Sequence, residues 1–155
     1  MSHELVDRFY TGFAAGDAEV MVDCYHTDIR FEDPVFGELR GPDAGDMWRM
    51  LCANAADLRI EHEVEAADDV GATVRWTARY TFSATGRPVR NNIVATMKFR
   101  DGKIVDHRDE FSLWRWCSQA LGLPGKLAGW SPPLQTRVRA MARKGLDRYR
   151  AAKGD

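Results

Sequence analysis

Residues 58–83 read Leu58-Arg59-Ile60-Glu61-His62-Glu63-Val64-Glu65-Ala66-Ala67-Asp68-Asp69-Val70-Gly71-Ala72-Thr73-Val74-Arg75-Trp76-Thr77-Ala78-Arg79-Tyr80-Thr81-Phe82-Ser83. Leu58, Ile60, His62, Val64 and Ala66 alternate with charged residues, and Asp68-Asp69-Val70-Gly71 turns the chain. Val74, Trp76, Ala78, Tyr80 and Phe82 then alternate with Thr73, Arg75, Thr77, Arg79, Thr81 and Ser83. A period of two puts each set on one side of a strand, so the stretch reads as two antiparallel strands with one apolar face. Thr85-Gly86-Arg87-Pro88 turns the chain again, into a strand from about Val89 to Phe99. Asp101-Gly102 is a hairpin signal, and a last strand runs from about Ile104 to Leu113.

Upstream the period is helical. Leu5, Val6, Phe9, Tyr10 and Phe13 share one face. Gly16 ends that helix, and Asp17 caps a second carrying Val20, Met21, Cys24 and Tyr25. Ile29, Phe31 and Asp33 alternate with Arg30 and Glu32 in a short strand stopped by Pro34. Gly41-Pro42 opens a third helix with Met47, Trp48, Met50, Leu51 and Ala55 on its apolar side. Helices first and strands after give an α+β domain over residues 1–113, three helices covering a mainly antiparallel sheet. Residues 114–155 read as a helical extension packed on it. Trp114 to Leu121 is helical until Gly122, Pro124 and Gly125 break it. Ser131-Pro132-Pro133 then starts a long helix with Leu134, Val138, Met141, Ala142, Leu146 and Tyr149 on one stripe.

The 155 residues are 45% hydrophobic and 29% charged, a globular balance that excludes a disordered chain. No apolar run reaches the roughly 20 residues a membrane span needs, and the N-terminus lacks a signal-peptide pattern. Cys24, Cys52 and Cys117 are odd in number and widely spaced, which reads as free thiols in a reducing compartment. A cytoplasmic location is expected. Residues 114–155 carry nine Lys and Arg against two Asp and Glu, on a chain of net charge -1. The basic tail reads as a solvated helix face docked on an acidic body; it lacks the interleaved aromatic platform that single-stranded nucleic acid needs, and neither nucleic acid nor membrane is expected as partner.

The segment Gly16-Asp17, Tyr25, Phe31-Glu32-Asp33-Pro34 and Gly41-Pro42, with Asp101-Gly102-Lys103-Ile104 through His107-Arg108-Asp109-Glu110-Phe111, resembles the nuclear transport factor 2-like superfamily. That superfamily holds ketosteroid isomerases, SnoaL-type polyketide cyclases and limonene epoxide hydrolases. The resemblance spans about residues 2–113 and implies a cone-like fold with a curved sheet. It also implies a small-molecule ligand, a homodimer, and Asp33 as a proton-shuttling base. Homodimer formation fits the polar strand faces bearing Thr73, Thr77, Thr81 and Thr96.

Asp33 shares a strand face with Ile29 and Phe31 and so points inward. Burial of a carboxylate raises its pKa and makes it a better base near neutral pH; the other reading is a cap on backbone amides before Pro34. His107 and Asp109, two apart, share a face with Val105 and Phe111. A carboxylate-oriented imidazole suits acid–base chemistry, and a core hydrogen-bond network is the alternative. The string His107-Arg108-Asp109 has no kinase meaning without a glycine-rich loop. His62 reads as a core or interface residue. Tyr10, Trp76, Tyr80, Met97, Phe99 and Phe111 line a pocket for an apolar substrate or form plain core. Where ketosteroid isomerases hold a dienolate oxygen with a tyrosine and a protonated aspartic acid, counting places Phe9, with Tyr10 adjacent, and Ala95. Each such donor is worth roughly 3–4 kcal/mol, so steroid isomerisation by that route is not expected. No metal or nucleotide motif occurs. The function expected is cofactor-independent acid/base catalysis on a small, largely apolar molecule: an isomerase, dehydratase, cyclase or epoxide hydrolase type. The alternative is a non-catalytic binding or dimerisation module.

Overall fold

The computed structural model describes residues 2–54 and 56–154; Ala55, read above as part of the third helix's apolar side, lies outside the described residues, as do Met1 and Asp155. The chain runs α1 (Ser2–Ala14), α2 (Ala18–Asp23), β1 (Tyr25–Asp33), β2 (Gly37–Arg40), α3 (Pro42–Asn54), β3 (Arg59–Ala67), β4 (Gly71–Phe82), β5 (Arg87–Arg100) and β6 (Lys103–Glu110). The extension adds α4 (Leu113–Leu121), α5 (Leu123–Ala128) and α6 (Pro132–Lys153). One six-stranded sheet has the order β2-β1-β6-β5-β4-β3. β1 and β6 are parallel and every other pair is antiparallel. The architecture is α+β, as the alternation in residues 58–83 requires.

Helical spacing turns Val6, Phe9, Tyr10 and Phe13 of α1 into one buried face, and α3 adds Met47 and Trp48. These meet Phe31, Val74, Trp76, Ala95 and Met97 from the sheet in one core. Each large side chain so buried contributes roughly 1.5–3 kcal/mol before entropy is subtracted.

Four expectations need correction. Tyr25 belongs to β1, because α2 ends at Asp23 and Cys24 is its C-cap. Gly37–Arg40 forms a strand against β1, which the pattern of one buried residue, Leu39, did not reveal. In β6 the register skips Val105, since Lys98 pairs Asp106 and Phe99 pairs Ile104. That bulge buries Ile104 instead of Val105. The last strand also stops at Glu110, because Ser112 caps α4 by accepting from the Arg115 amide at 3.2 Å.

In the extension, Gly122 at φ 71° breaks α4 as expected, but Pro124 and Gly125 sit inside a further helix, α5. Pro124 is tolerated in the first turn. Gly125 is required, because a Cβ there would collide with the Cys117 carbonyl oxygen. Along α6, Val138 and Leu146 are buried with Leu134, Ala142 and Tyr149 half-buried, but Met141 is 62% exposed. Five residues from Leu146 is about 140° around the helix, so Met141 faces away. The far end of α6 is held by Asp46 of α3, which accepts from Arg150 at 3.1 Å and Lys153 at 2.7 Å. The basic tail does dock on acidic residues there. No described helix is long and apolar enough to cross a membrane.

Candidate functional site

β6 points His107 and Asp109 into the cone, and β1 lies beside it in parallel with Phe31 paired to His107 and Glu32 to Arg108. Asp33, the residue after Glu32 and the last of β1, lies close enough to Asp109 for that charge to act on its carboxyl. The three residues singled out from the sequence therefore come together where the two strands run side by side.

His107 is fully buried, boxed by Phe9 at 5.5 Å, Phe31 at 5.1 Å and Trp48 at 6.1 Å between ring centroids. A buried imidazole must satisfy both nitrogens. Nδ1 lies 2.7 Å from the Tyr25 hydroxyl, and Nε2 lies 2.8 Å from Asp109 Oδ1. Trp48 Nε1 donates to the Tyr25 oxygen at 2.8 Å, and Trp76 Nε1 donates to Asp109 Oδ1 at 3.2 Å. One proton arrangement satisfies every member. The Trp48 indole donates to Tyr25, Tyr25 donates to Nδ1, and Nε2–H donates to the Asp109 carboxylate. Burial holds the Tyr25 hydroxyl well above the ordinary tyrosine range, so it is protonated and available as donor. His107 is thus the Nε2–H tautomer, and Asp109 Oδ2 has no partner among the described residues.

Asp33 is half-buried at the end of β1. Its Oδ1 accepts from the amides of Val35 at 2.9 Å and Phe36 at 2.6 Å. The cap reading is therefore correct as geometry, and it leaves Oδ2 uncommitted among the described residues. Burial, with a smaller push from Asp109, still raises the pKa to about 7, against the amides, which lower it. Cap and near-neutral carboxyl are the same group.

Tyr10 is fully buried, and its hydroxyl has no hydrogen-bond partner among the described residues. Its ring stacks on His62 at 5.0 Å and lies 5.8 Å from Trp76. Burial and the nearby Asp109 keep the hydroxyl protonated far above neutral pH. A buried donor with nothing to donate to is costly and calls for an explanation. His62 itself pairs with Asp7 at 2.7 Å, tying α1 to β3.

The other expected lining residues divide. Trp76 and Met97 are 7% and 2% exposed and belong to the core. Tyr80 and Phe111 are half-buried and pack against a second cluster made of Val89 from β5 and Leu113, Trp116, Cys117, Ala120 and Val138 from the extension. Trp116 Nε1 donates to the Tyr80 hydroxyl at 2.7 Å, and Arg139 Nε donates to the Pro34 carbonyl beside Asp33 at 2.8 Å. The extension therefore covers the Asp33 end of the cone. Two hollows lie away from Asp33: about 400 Å³ beside Gly16, Arg49 and Cys52, and about 260 Å³ beside Leu5, Phe99 and Arg100. Tyr25 and Trp48 were missed as site residues. The available signal was His107 itself, because an inward histidine demands polar partners, and tyrosine and tryptophan supply them from within a core. Among the described residues no three His, Cys, Asp or Glu side chains converge as metal ligands do.

Residues 6–107 match the SnoaL-like domain family, and the chain belongs to it. Comparison with curated proteins finds no match. Among solved structures, a candidate polyketide cyclase from Silicibacter sp. is similar with TM-score 0.68 and 18% identity, covering 76% of this chain and 93% of that one. A hypothetical protein of ketosteroid isomerase-like fold from Catenulispora acidiphila, in complex with trimethylamine, has TM-score 0.68 and 16% identity over 85% of this chain and all of its own. An epoxide hydrolase from M. tuberculosis has TM-score 0.59 and 17% identity over 84% of this chain and 92% of its own. These likenesses establish the fold.

Proposed function

We propose that this chain is a cofactor-independent acid/base enzyme acting on a small, largely apolar molecule, of the isomerase, dehydratase, cyclase or epoxide hydrolase type. One observation carries it: Asp33 holds a carboxyl of pKa about 7, within the field of Asp109, with one oxygen uncommitted among the described residues. A group half protonated at neutral pH both takes and returns a proton. Asp33 is the base that removes a proton next to a carbonyl or hydroxyl. Asp109 is the second carboxylate. His107, with both nitrogens engaged inside the protein, positions Asp109 and stabilises its charge. The unpaired Tyr10 hydroxyl is the donor for a substrate oxygen. Family membership and neighbours named as cyclases and epoxide hydrolases support the reading.

The test is deuterium exchange in heavy water at carbons next to the carbonyl of small cyclic ketones, followed by proton NMR. Exchange that wild-type protein accelerates and Asp33→Asn abolishes is expected. No acceleration over a broad set of ketones, with parallel failure on epoxides, contradicts it. A second reading, the non-catalytic binding module, is favoured by the packed interior around His107 and by hollows that do not touch Asp33. Ligand binding without exchange would select it.

A further inference from the structure

The surface of the extension holds a feature that acid/base chemistry does not use. Trp114, Leu123, Leu127 and Trp130 are 50%, 66%, 68% and 61% exposed. Scattered exposed leucines are ordinary, but four large apolar side chains in one patch mark a binding surface. Leu123, Leu127 and Trp130 follow one another at helical spacing along α5 and its end. Trp114 joins them from α4, its indole donating to the Lys126 carbonyl at 3.2 Å, while Trp130 donates to the Leu127 carbonyl at 2.9 Å. Both indole N–H groups are thus spent inside the protein, and the rings face outward as hydrocarbon. A partner for this face need supply no acceptor.

The chain segment that carries the patch has charge of one sign. From Phe111 to Leu146 there is no Asp or Glu, and there are six cations: Arg115, Lys126, Arg137, Arg139, Arg143 and Lys144. Arg115 and Lys126 are exposed and neighbour Trp114 and Leu127 in sequence. A single-stranded nucleic acid would use the cations and the indole faces, but two leucines exposed by two thirds offer it nothing. Tryptophan and leucine rimmed by lysine and arginine match the boundary of an anionic bilayer, where the rings enter the headgroup region and the cations meet lipid phosphate.

We propose that the Trp114–Leu123–Leu127–Trp130 face of α4 and α5 docks on an anionic lipid surface, a peripheral contact made without any membrane-spanning segment. This reverses the sequence reading of the basic tail, which took no membrane as partner and lacked the apolar half of the surface. It stands independently of the acid/base reading.

The experiment is flotation of the full chain with vesicles of phosphatidylcholine alone and of equal parts phosphatidylcholine and phosphatidylglycerol. Flotation with the anionic vesicles, weakened by salt and at least roughly tenfold poorer with neutral ones, is expected. The double variant Leu123→Ser/Leu127→Ser removes apolar surface that makes no hydrogen bond and leaves the melting curve unchanged. It should lose anionic binding by at least about tenfold. Tryptophan emission should shift to the blue on vesicle addition, and Trp130→Ala should reduce that shift. Failure of wild-type protein to float, or undiminished flotation of the double variant, overturns the proposal. So does light scattering that finds wild-type copies associated through this face and the double variant dissociated.

Discussion

The hydroxyl of Tyr25 lies 2.7 Å from Nδ1 of His107, 82 residues further along the chain, and this contact decides which ring nitrogen carries the proton. With Nδ1 accepting, Nε2–H is committed to Asp109, and the pair cannot rearrange without breaking a bond to a fully buried partner.

Tyr25→Phe therefore removes the donor to Nδ1 and the acceptor of the Trp48 indole together. Two buried polar groups lose their partner at about 1–3 kcal/mol each. A fall in unfolding free energy of about 2–6 kcal/mol by denaturant titration is expected. Nitrogen NMR of the histidine ring should show the Nε2–H form in the wild type and a mixture in the variant.

Tyr10→Phe should act in the opposite sense. Its hydroxyl is buried without a partner among the described residues, so its removal should leave stability unchanged or raise it by about 1 kcal/mol. Binding or turnover of a carbonyl-bearing ligand should fall roughly tenfold or more, because a buried donor without a partner among the described residues is gone. A large loss of stability on this substitution would mean that the hydroxyl bonds within the protein after all.

Asp46 clamps the end of α6. Burial alone would raise its pKa, but hydrogen bonds from Lys153, Arg49 and Arg150 outweigh that and hold it below the ordinary value of 3.8. A depressed folded pKa contributes stability that is present above the unfolded value and lost as pH falls through the folded one. Asp46→Asn should therefore lower the melting temperature at neutral pH and narrow the gap to wild type as the solution becomes acid. Truncation after Leu121 should destabilise further, since Val138 and Leu146 each bury a side chain worth roughly 1.5–3 kcal/mol. Met141→Ser should change little, given its exposure.

Much of this was legible because it depends on spacing. The four long strands follow from alternation. Asp33, His107 and Asp109 stand out as polar residues on apolar faces. What was not legible depends on contacts made across distance. β2 shows too few buried positions to announce itself, and α5 depends on Gly125 fitting against Cys117, a tertiary fact. Tyr25 read as the last apolar residue of a helix; only the pairing of β1 with β6 turns it toward His107. The two answers for Asp33, cap or near-neutral carboxyl, looked exclusive in sequence because an amide cap by itself lowers a carboxyl pKa. Burial at the end of β1 is the larger effect, and sequence does not report it.

Homodimer formation through the polar outer face of the sheet, where Thr77 donates to Asn92 across β4 and β5, is a proposal that light scattering checks directly. A dimeric mass at micromolar concentration is expected, and a monomeric mass would remove it.

The central claim is the state of Asp33. Its folded pKa of about 7 lies above the ordinary 3.8, so the folded chain holds the proton more tightly. Its contribution is full below the unfolded value and is lost as pH rises from about 4 to about 7, amounting to at most about 4 kcal/mol. Asp33→Asn retains the acceptor for the Val35 and Phe36 amides and should flatten stability across that window while abolishing proton transfer. The direct measurement is a carboxyl-carbon NMR titration of Asp33 in the folded chain. A midpoint near 7 is the expected result, and a midpoint at or below that of a free aspartate would contradict its role as the base.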